Sequence, residues 1–495
     1  MLKSISPQDM REMERAFLEG TGYPSLLLME HAAQAVVRAL SSLVPEGAKV
    51  LFLCGGGNNG GDGCAAARLW IAAGGRAEVW LLRSPAQMRG DAGINARLLH
   101  ACGANLQVLY GEVPPIPEGC AAVVDALFGT GFVGALAGEA LLAAQRVCES
   151  ALPVIAVDIP SGVDGMTGAV AGEAIRASLT VALHRPKTGQ LLFPGRAYGG
   201  RLVVAPIGIL PDWDGADGAE ILEEQDARAL LPARAMDAHK GDFGHVLLLA
   251  GREGMGGAAA LAALGALRAG CGLVTAACSG TVLPVLQSVV PCAMARVVCE
   301  GEGLCPQAAE PLLALAQGKA ALAIGPGLGT DEGVWQALSP LIEGDIPKVV
   351  DADALTLLAR HGGRVGRGTV LTPHPGEMAR LLGLSTSEVV RSPVECAQKL
   401  AATTGATVLL KGATTVIATG EELALNLSGS DAMATGGSGD VLTGVIAGLL
   451  AQGMSPFDAS RVGAYHHGLA GEAACAALGA RATTALDIAN ALRLP

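Results

Sequence analysis

Two glycine runs that end in carboxylates mark where this chain of 495 residues could do chemistry. The first, Gly55-Gly56-Gly57-Asn58-Asn59-Gly60-Gly61-Asp62-Gly63, follows the apolar run Lys49–Cys54 and precedes a helical stretch over Cys64–Ala73. A strand, a glycine turn and a helix start bring backbone N–H groups and a positive dipole end to one spot, which suits a phosphate or pyrophosphate. Gly55, Gly57 and Gly60 satisfy G-x-G-x-x-G, a weak signal alone, and no Lys-Ser/Thr follows, which excludes a P-loop. Two Asn and an Asp in the turn add hard oxygen ligands beside that anion site. The second run, Ala434-Thr435-Gly436-Gly437-Ser438-Gly439-Asp440, precedes a helix predicted over Val441–Ala451. A carboxylate beside an anion hole can move a proton on a hydroxyl while developing negative charge is held nearby. An ordinary first-turn Asp is the alternative, and the surrounding glycines weigh against it.

Other strand ends carry polar residues too. Val123-Val124-Asp125 leads into Phe128-Gly129-Thr130-Gly131, Val157-Asp158 into Ile159-Pro160-Ser161-Gly162, and a third apolar run into His184-Arg185-Pro186-Lys187-Thr188-Gly189. Ligands of open parallel sheets bind outside the carboxyl ends of the strands, so these ends point at one crevice. Further along, Gly325-Pro326-Gly327-Leu328-Gly329, Thr372-Pro373-His374-Pro375-Gly376-Glu377, Lys411-Gly412-Ala413-Thr414-Thr415, Gly254–Ala258 and His239-Lys240-Gly241-Asp242 fit a second, nucleotide-shaped site.

The elements that must hold these residues are short apolar strands alternating with Ala/Leu-rich helices, which predicts α/β layers with a parallel sheet covered on both faces. The first set of strands is Lys49–Cys54, Ala77–Leu82, Ala121–Asp125, Pro153–Asp158, Leu179–Leu183 and Arg201–Ile207. An acidic, turn-forming stretch at Ile209–Gly218 reads as a linker. The alternation restarts with His245–Ala250, Gly272–Cys278, Ala320–Ile324, Lys348–Val350 and Thr369–Leu371. Antiparallel edge strands are predicted at Thr407–Leu410, Thr414–Thr419 and Glu422–Leu427, then Ala-rich helices. Met10–His31 is expected as one helix that packs or dimerises, and the chain as a homo-oligomer. Domains are expected over 1–212 and 213–495.

Composition narrows the classes. The net charge is -12, hydrophobic residues make up 51% and charged residues 16%; this excludes a disordered or charge-solvated chain and argues against a nucleic-acid partner, which needs a basic stripe. The longest uncharged runs fall short of the about 20 residues a membrane span needs, so no membrane partner and a cytoplasmic location are expected. The 12 Cys show no C-x-x-C pair or metal spacing and read as reduced, small core residues. His466-His467 would point about 100° apart on a helix, which disfavours one shared metal.

Asn58-Asn59-Gly60-Gly61-Asp62, the Asp125–Gly131 segment, Asp158-Ile159-Pro160-Ser161-Gly162 and Pro186-Lys187 resemble the YjeF N-terminal domain, the NAD(P)H-hydrate epimerases, over nearly all of residues 1–212. The resemblance implies a Rossmann-like fold and a K⁺ ion held by Asn59, Asp125 and Ser161. It implies that Asn58, Asn59, Gly60, Gly61 and Asp62, with the loop Gly129, Thr130, Gly131, Phe132, Val133, Gly134 and Ala135, bind the hydrated nucleotide. Asp158 would then lie at the reacting ring as acid/base. Lys187 is either its catalytic partner or a charge balancing the diphosphate.

The motifs His-Lys-Gly-Asp, Gly-Pro-Gly-Leu-Gly, His-Pro-Gly-Glu and Gly-Gly-Ser-Gly-Asp, in this order, resemble the YjeF C-terminal domain over about residues 225–495. That domain is the ADP-dependent NAD(P)H-hydrate dehydratase of the ribokinase-like superfamily. The resemblance implies that Lys411, Gly412, Ala413, Thr414, Thr415 and Gly439 bind ADP with Mg²⁺. Ala258, Gly327, His374 and Asp440 would bind the hydrate, Asp440 as acid/base. One departure is Ser430-Asp431, where the family has Asn-Pro; the loop is expected to be more mobile or to bind nucleotide differently. The expected function is repair of NADH and NADPH hydrates by R/S epimerisation and ADP-coupled dehydration of the S form. The alternatives are a ribokinase-like ATP-dependent kinase of a small alcohol, and a first half that serves as a non-catalytic nucleotide-binding or scaffold module.

Overall fold

Both halves of the chain build parallel sheets from runs of Val, Leu, Ile and Ala that are buried on both faces, as sheets covered by helices require. The structure, a computed structural model, describes residues 1–215 and 217–495; Ala216, inside the expected linker, lies outside them. The chain divides into two compact units, Leu2–Ala219 and Glu220–Pro495, Met1 belonging with the second.

In the first unit the strand order is Asn105–Val108, Arg76–Leu81, Lys49–Cys54, Cys120–Ala126, Val154–Val157, Leu179–Leu183, Arg201–Ala205, with all neighbours parallel. Strand order reverses between Lys49–Cys54 and Cys120–Ala126, and such a switch point opens a crevice at the carboxyl ends. The core is aliphatic, with Phe17, Phe52 and Trp70 among its few rings.

Some expectations are corrected here. Met10–His31 is two helices, Pro7–Thr21 and Ser25–Ser41. Gly22 takes a left-handed φ of 68° at the first helix end, and Pro24 follows, where a helix cannot continue. The helix after the first glycine run begins at Asn58, not Cys64, with Gly57 as its N-cap. Pro211–Trp213 is a short 3-10 turn rather than free linker: the Trp213 indole lies edge-on to Phe17 at 6.1 Å, and Asp214 pairs with Arg185.

In the second unit the order runs Glu220–Ile221, Leu423–Asn426, Thr415–Ala418, Thr407–Leu410, Thr369–Leu371, Lys348–Val350, Ala321–Ile324, His245–Leu249, Leu273–Ser279, Met294–Cys299. The antiparallel pairings predicted for Thr407–Leu410 with Thr415–Ala418, and of that strand with Leu423–Asn426, are present. The helix of the second glycine run spans Ser438–Ala451, so Asp440 lies inside its first turn. It packs backbone to backbone on the helix Gly256–Arg268: a Cβ added at Gly444 would stand 1.9 Å from the Ala262 carbonyl oxygen, and one at Gly265 2.3 Å from that of Val441. These small residues set the depth and direction of Asp440.

The cysteines are not all reduced: Cys299 and Cys305 form a disulfide. Their C-x5-C spacing matches no motif, because the pairing depends on the turn after the edge strand Met294–Cys299. That strand and Asn105–Val108 escaped the sequence reading, since both are half exposed and lack a continuous apolar run. Among the described residues no helix is long and apolar enough to cross a membrane.

Candidate functional site

The strand register of the first unit brings Cys54 beside Ala126 and Asp125 beside Ala156, so the predicted polar residues emerge at one sheet end. Gly55 and Gly60 are obligatory there: a Cβ at Gly55 would lie 1.9 Å from the Leu127 oxygen, and one at Gly60 1.9 Å from the Gly55 oxygen. Asn58, Asn59 and Gly60 occupy the first turn, whose N–H groups have no intrahelical partner. The Gly129 Cα approaches so closely that an added Cβ would lie 3.2 Å from Asn59 Cγ. Of the loop that follows, Phe132 packs at a tilt against Phe128, ring centroids 5.0 Å apart, and Val133 is 81% exposed.

Asp125 is fully buried, and its carboxylate accepts from Ser161 Oγ at 2.6 Å and Ser161 N at 2.8 Å. Phe128 N donates to Ser161 Oγ at 3.0 Å. Burial pushes the Asp125 carboxyl up to about 6, against the hydrogen bonds from Ser161. A cation would offset that buried charge, and the buried Asn59 Nδ2 lacks a partner, as expected if the side-chain oxygen should face a positive ion instead. Among the described residues no group of three or more His, Cys, Asp or Glu could hold a metal; one carboxylate with neutral oxygens fits a monovalent ion better than a divalent one.

Asp158 has a φ of 67°, a left-handed conformation that costs roughly 1–3 kcal/mol for a non-glycine residue. The surroundings over-determine it: Asp158 N donates to Val181 O, Gln190 Nε2 donates to Asp158 O at 2.7 Å, and Leu183 N donates to Oδ1 at 3.1 Å. Lys187, 1% exposed, donates from Nζ to Asp158 Oδ1 at 2.5 Å, Leu183 O at 2.8 Å and Arg185 O at 3.1 Å. This ion pair stands among further carboxylates. Burial holds Asp62 well above the usual carboxylate range, with the Asp158 and Glu14 charges adding to it. Burial also raises Glu14, the Lys187 charge opposing.

Glu14 was missed by sequence reasoning. Met10, Met13 and Phe17 of its helix are buried, and position 14 falls on the same i, i+3, i+4, i+7 stripe. A carboxylate in an apolar stripe was the available signal. Arg185, in the strand-end run His184–Gly189, is paired with Asp214 at 2.5 Å.

In the second unit successive strand ends are laced together: Gly325 N bonds Leu249 O, Asp351 N bonds Ile324 O, Thr372 N bonds Val350 O, and Lys411 N bonds Pro373 O. Ala258 meets Gly327 there, a Cβ on that glycine lying 3.1 Å from the Ala258 Cβ. His374 caps the helix Pro375–Leu382, its Nδ1 accepting from Gly376 N at 3.0 Å. Burial lowers its imidazole pKa. Lys411 Nζ donates to Asp351 Oδ1 at 2.7 Å and would lie 3.4 Å from a Cβ on Gly439. Burial pushes the Asp440 carboxyl up to about 7, the Asp351 charge adding to the shift and the Lys411 ammonium opposing it. Asp351 went unnoticed in the sequence because Asp after a strand is common; its signal was the repeat Asp351-Ala352-Asp353 at a strand end.

The His239–Asp242 motif does not join this cluster. Gly244, just after it, packs on the Ala451 carbonyl, at the far end of the 14-residue helix that starts near Asp440, about 20 Å away at 1.5 Å per residue. The adjacent His466 and His467 are both buried in the helix Pro456–Leu478; His467 lies 3.5 Å from Ser438 Oγ. Ser430 Oγ is buried without a hydrogen-bond partner, while Gly429 N is tied to Glu472 at 2.7 Å.

Comparison with known proteins follows the same division. The family described as NAD(P)H-hydrate dehydratase matches residues 246–493, and that described as YjeF-related protein N-terminus matches residues 25–189. A bifunctional NAD(P)H-hydrate repair enzyme of Moorella thermoacetica is 39% identical, with 99% of this chain and 95% of the relative covered. One from Escherichia coli is 34% identical over 98% of this chain and 92% of its own length. Among solved structures, an ADP/ATP-dependent NAD(P)H-hydrate dehydratase of Bacillus subtilis, crystallised with ATP and Mg²⁺, is 35% identical. It superposes with a TM-score of 0.50 over 56% of this chain and 97% of its own.

Proposed function

The chain belongs to the bifunctional NAD(P)H-hydrate repair enzymes, and from that premise we propose how its two sites divide the work. The enzyme epimerises the R and S hydrates of NADH and NADPH, and dehydrates the S form with ADP hydrolysis. Epimerisation belongs to the first unit, Leu2–Ala219, and dehydration to the second, Glu220–Pro495; the boundary expected after residue 212 moves to 219 because Trp213 and Asp214 pack on Phe17 and Arg185.

At the first site the unpaired N–H groups of Asn58, Asn59 and Gly60 face the diphosphate, with Gly61 and Asp62 beside them. The loop Gly129–Ala135, through Thr130, Gly131, Phe132, Val133 and Gly134, covers the nucleotide. Asp158 moves the proton at the ring hydroxyl while configuration at the ring carbon is lost and regained. Lys187 holds Asp158 in place; its Nζ is committed to Asp158, Leu183 and Arg185, which favours the catalytic-partner reading over a diphosphate counter-charge. Asn59, Asp125 and Ser161 would hold K⁺, which supplies the positive charge that buried Asp125 lacks.

At the second site Lys411–Thr415 and Gly439 bind ADP, and Ala258, Gly327, His374 and Asp440 bind the hydrate. Hydroxide leaves poorly, so coupling water loss to ADP requires moving the terminal phosphoryl group onto the ring hydroxyl. Asp440 takes that hydroxyl proton as AMP is released; phosphate then leaves the ring carbon while the neighbouring ring carbon gives up a proton, which restores the double bond and yields the reduced cofactor, AMP and phosphate. Mg²⁺ bound with the nucleotide would supply positive charge against the phosphates. The observation that carries this assignment is the half-buried Asp440 in the first turn of the glycine-lined helix start, its carboxyl raised to about 7 beside the Lys411–Asp351 pair. The small-alcohol kinase would share the glycine run and Asp440, and is separated by substrate. Purified protein given mixed hydrates should regain the near-ultraviolet absorbance of the reduced ring only with ADP present; phosphoryl transfer to alcohols without that recovery refutes the assignment. We further expect a homo-oligomer in the cytoplasm, to be checked by light scattering and fractionation.

A further inference from the structure

Asp351 ends the strand Lys348–Val350 and is the N-cap of the helix Ala352–His361. An N-cap aspartate ordinarily turns its carboxylate onto the free N–H groups of its own helix. Here it makes no cap hydrogen bond. Oδ1 accepts from Lys411 Nζ at 2.7 Å and Oδ2 from Thr443 Oγ1 at 2.6 Å, at 1% exposure. The backbone is bent to this purpose. Ala352 has a φ of 50°, costing about 1–2 kcal/mol for a residue with a Cβ, and a Cβ on Gly325 would stand 1.8 Å from the Asp351 oxygen.

We propose that Asp351 is a positioning residue of the dehydratase site, its carboxylate holding the Lys411 ammonium and the Thr443 hydroxyl beside Gly439 so that Lys411 does not pair with Asp440. Thr443 stands one helical turn beyond Asp440, so one carboxylate spans from the strand end to the helix that carries the acid/base. If Lys411 were released, it would swing toward Asp440 and fix that carboxylate in its ionised form. The groups facing this centre are Asp351 and Asp353 from one strand end, Lys411 from the hairpin turn, and His374, Glu377 and Arg380 from the helix Pro375–Leu382. His467 faces it through Ser438. Both the Asp351 and Asp353 charges raise Asp440, in support of this arrangement.

The inference rests on Asp440 being the acid/base of dehydration, and that premise has its own control: Asp440→Asn must abolish dehydration at saturating ADP, and retained activity would reject the premise. With the premise upheld, Asp351→Asn should move the acidic limb of the kcat–pH profile down by about one unit and raise the KM for ADP. Lys411→Met should move the limb the other way, since Asp351 then faces Asp440 with no cation between them. A merely structural role would lower stability and kcat without moving that limb. Should Asp351→Asn fail to bind ADP or fold, Lys411→Met decides alone. An unmoved or downward limb in Lys411→Met, or an unmoved limb in folded Asp351→Asn, overturns the proposal.

Discussion

The two sites treat the same pair of residue types, an aspartate and a lysine, in opposite ways. In the first unit Lys187 bonds Asp158 directly at 2.5 Å, in a pocket where Asp62 and Glu14 carry the raised carboxyls. In the second, Lys411 is drawn off by Asp351, and Asp440 itself is raised to about 7. The contrast lies in the backbone beneath each aspartate. Asp158 sits on a left-handed corner straight after a strand, where its lysine arrives on the next strand end. Asp440 sits in a helix first turn, whose depth is set by glycines of two touching helices. With its ammonium drawn off toward Asp351, the Asp440 carboxyl can hold or release a proton near neutrality.

The sharpest way to break this contrast is to remove each aspartate separately. Asp440→Asn should cost dehydration about 10²–10⁴-fold and Asp158→Asn should cost epimerisation by a similar factor, the usual worth of a positioned acid/base. Each should leave the other activity intact, as an assay with resolved R and S hydrates would show. Next in size, Lys187→Met strands the Asp158 charge in a buried site, worth about 3–5 kcal/mol. The unfolding temperature of the first unit, Leu2–Ala219, should fall while ADP-dependent turnover of S hydrate persists.

The pH dependence of dehydration sharpens the contrast further. Burial raises Asp440, so its ionised form predominates only above about 7. A base step then loses about tenfold in kcat for each unit below that value, and a flat profile between pH 5 and 7 would contradict the assignment. Gly444→Ala places a methyl against the Ala262 oxygen; overpacking of this kind costs about 1–3 kcal/mol, read as a lower unfolding temperature of the second unit only. The smallest effect is expected from exchanging K⁺ for a larger organic cation: slower epimerisation, unchanged dehydration.

How much of this was legible in the sequence depended on how local each signal was. Strand ends such as Val157-Asp158 and Thr369–Leu371, and the glycine run before Asp440, announce themselves within a few residues. The helix starts were read late, at Cys64 and Val441, because glycines count against helix formation although helices here begin within them at Asn58 and Ser438. Glu14 and Asp351 were hidden for a different reason. Each matters through residues far away in the chain, Lys187 and Lys411, and only tertiary packing brings them close. The His239–Asp242 motif erred in the other direction: it has the residue types of a site, yet the strand beginning at His245 carries the chain away from it before the carboxyl end is reached.

Asp158 and Asp440 are proposed to serve two independent reactions in one chain. Asp158→Asn and Asp440→Asn proteins would be assayed alone and mixed, with a balanced mixture of R and S hydrates and excess ADP. Asp158→Asn alone should recover the S share quickly and stall, Asp440→Asn alone should recover none, and the mixed proteins should carry recovery to completion. Rapid, complete recovery by Asp158→Asn alone, or a stall in the mixture, would contradict that independence.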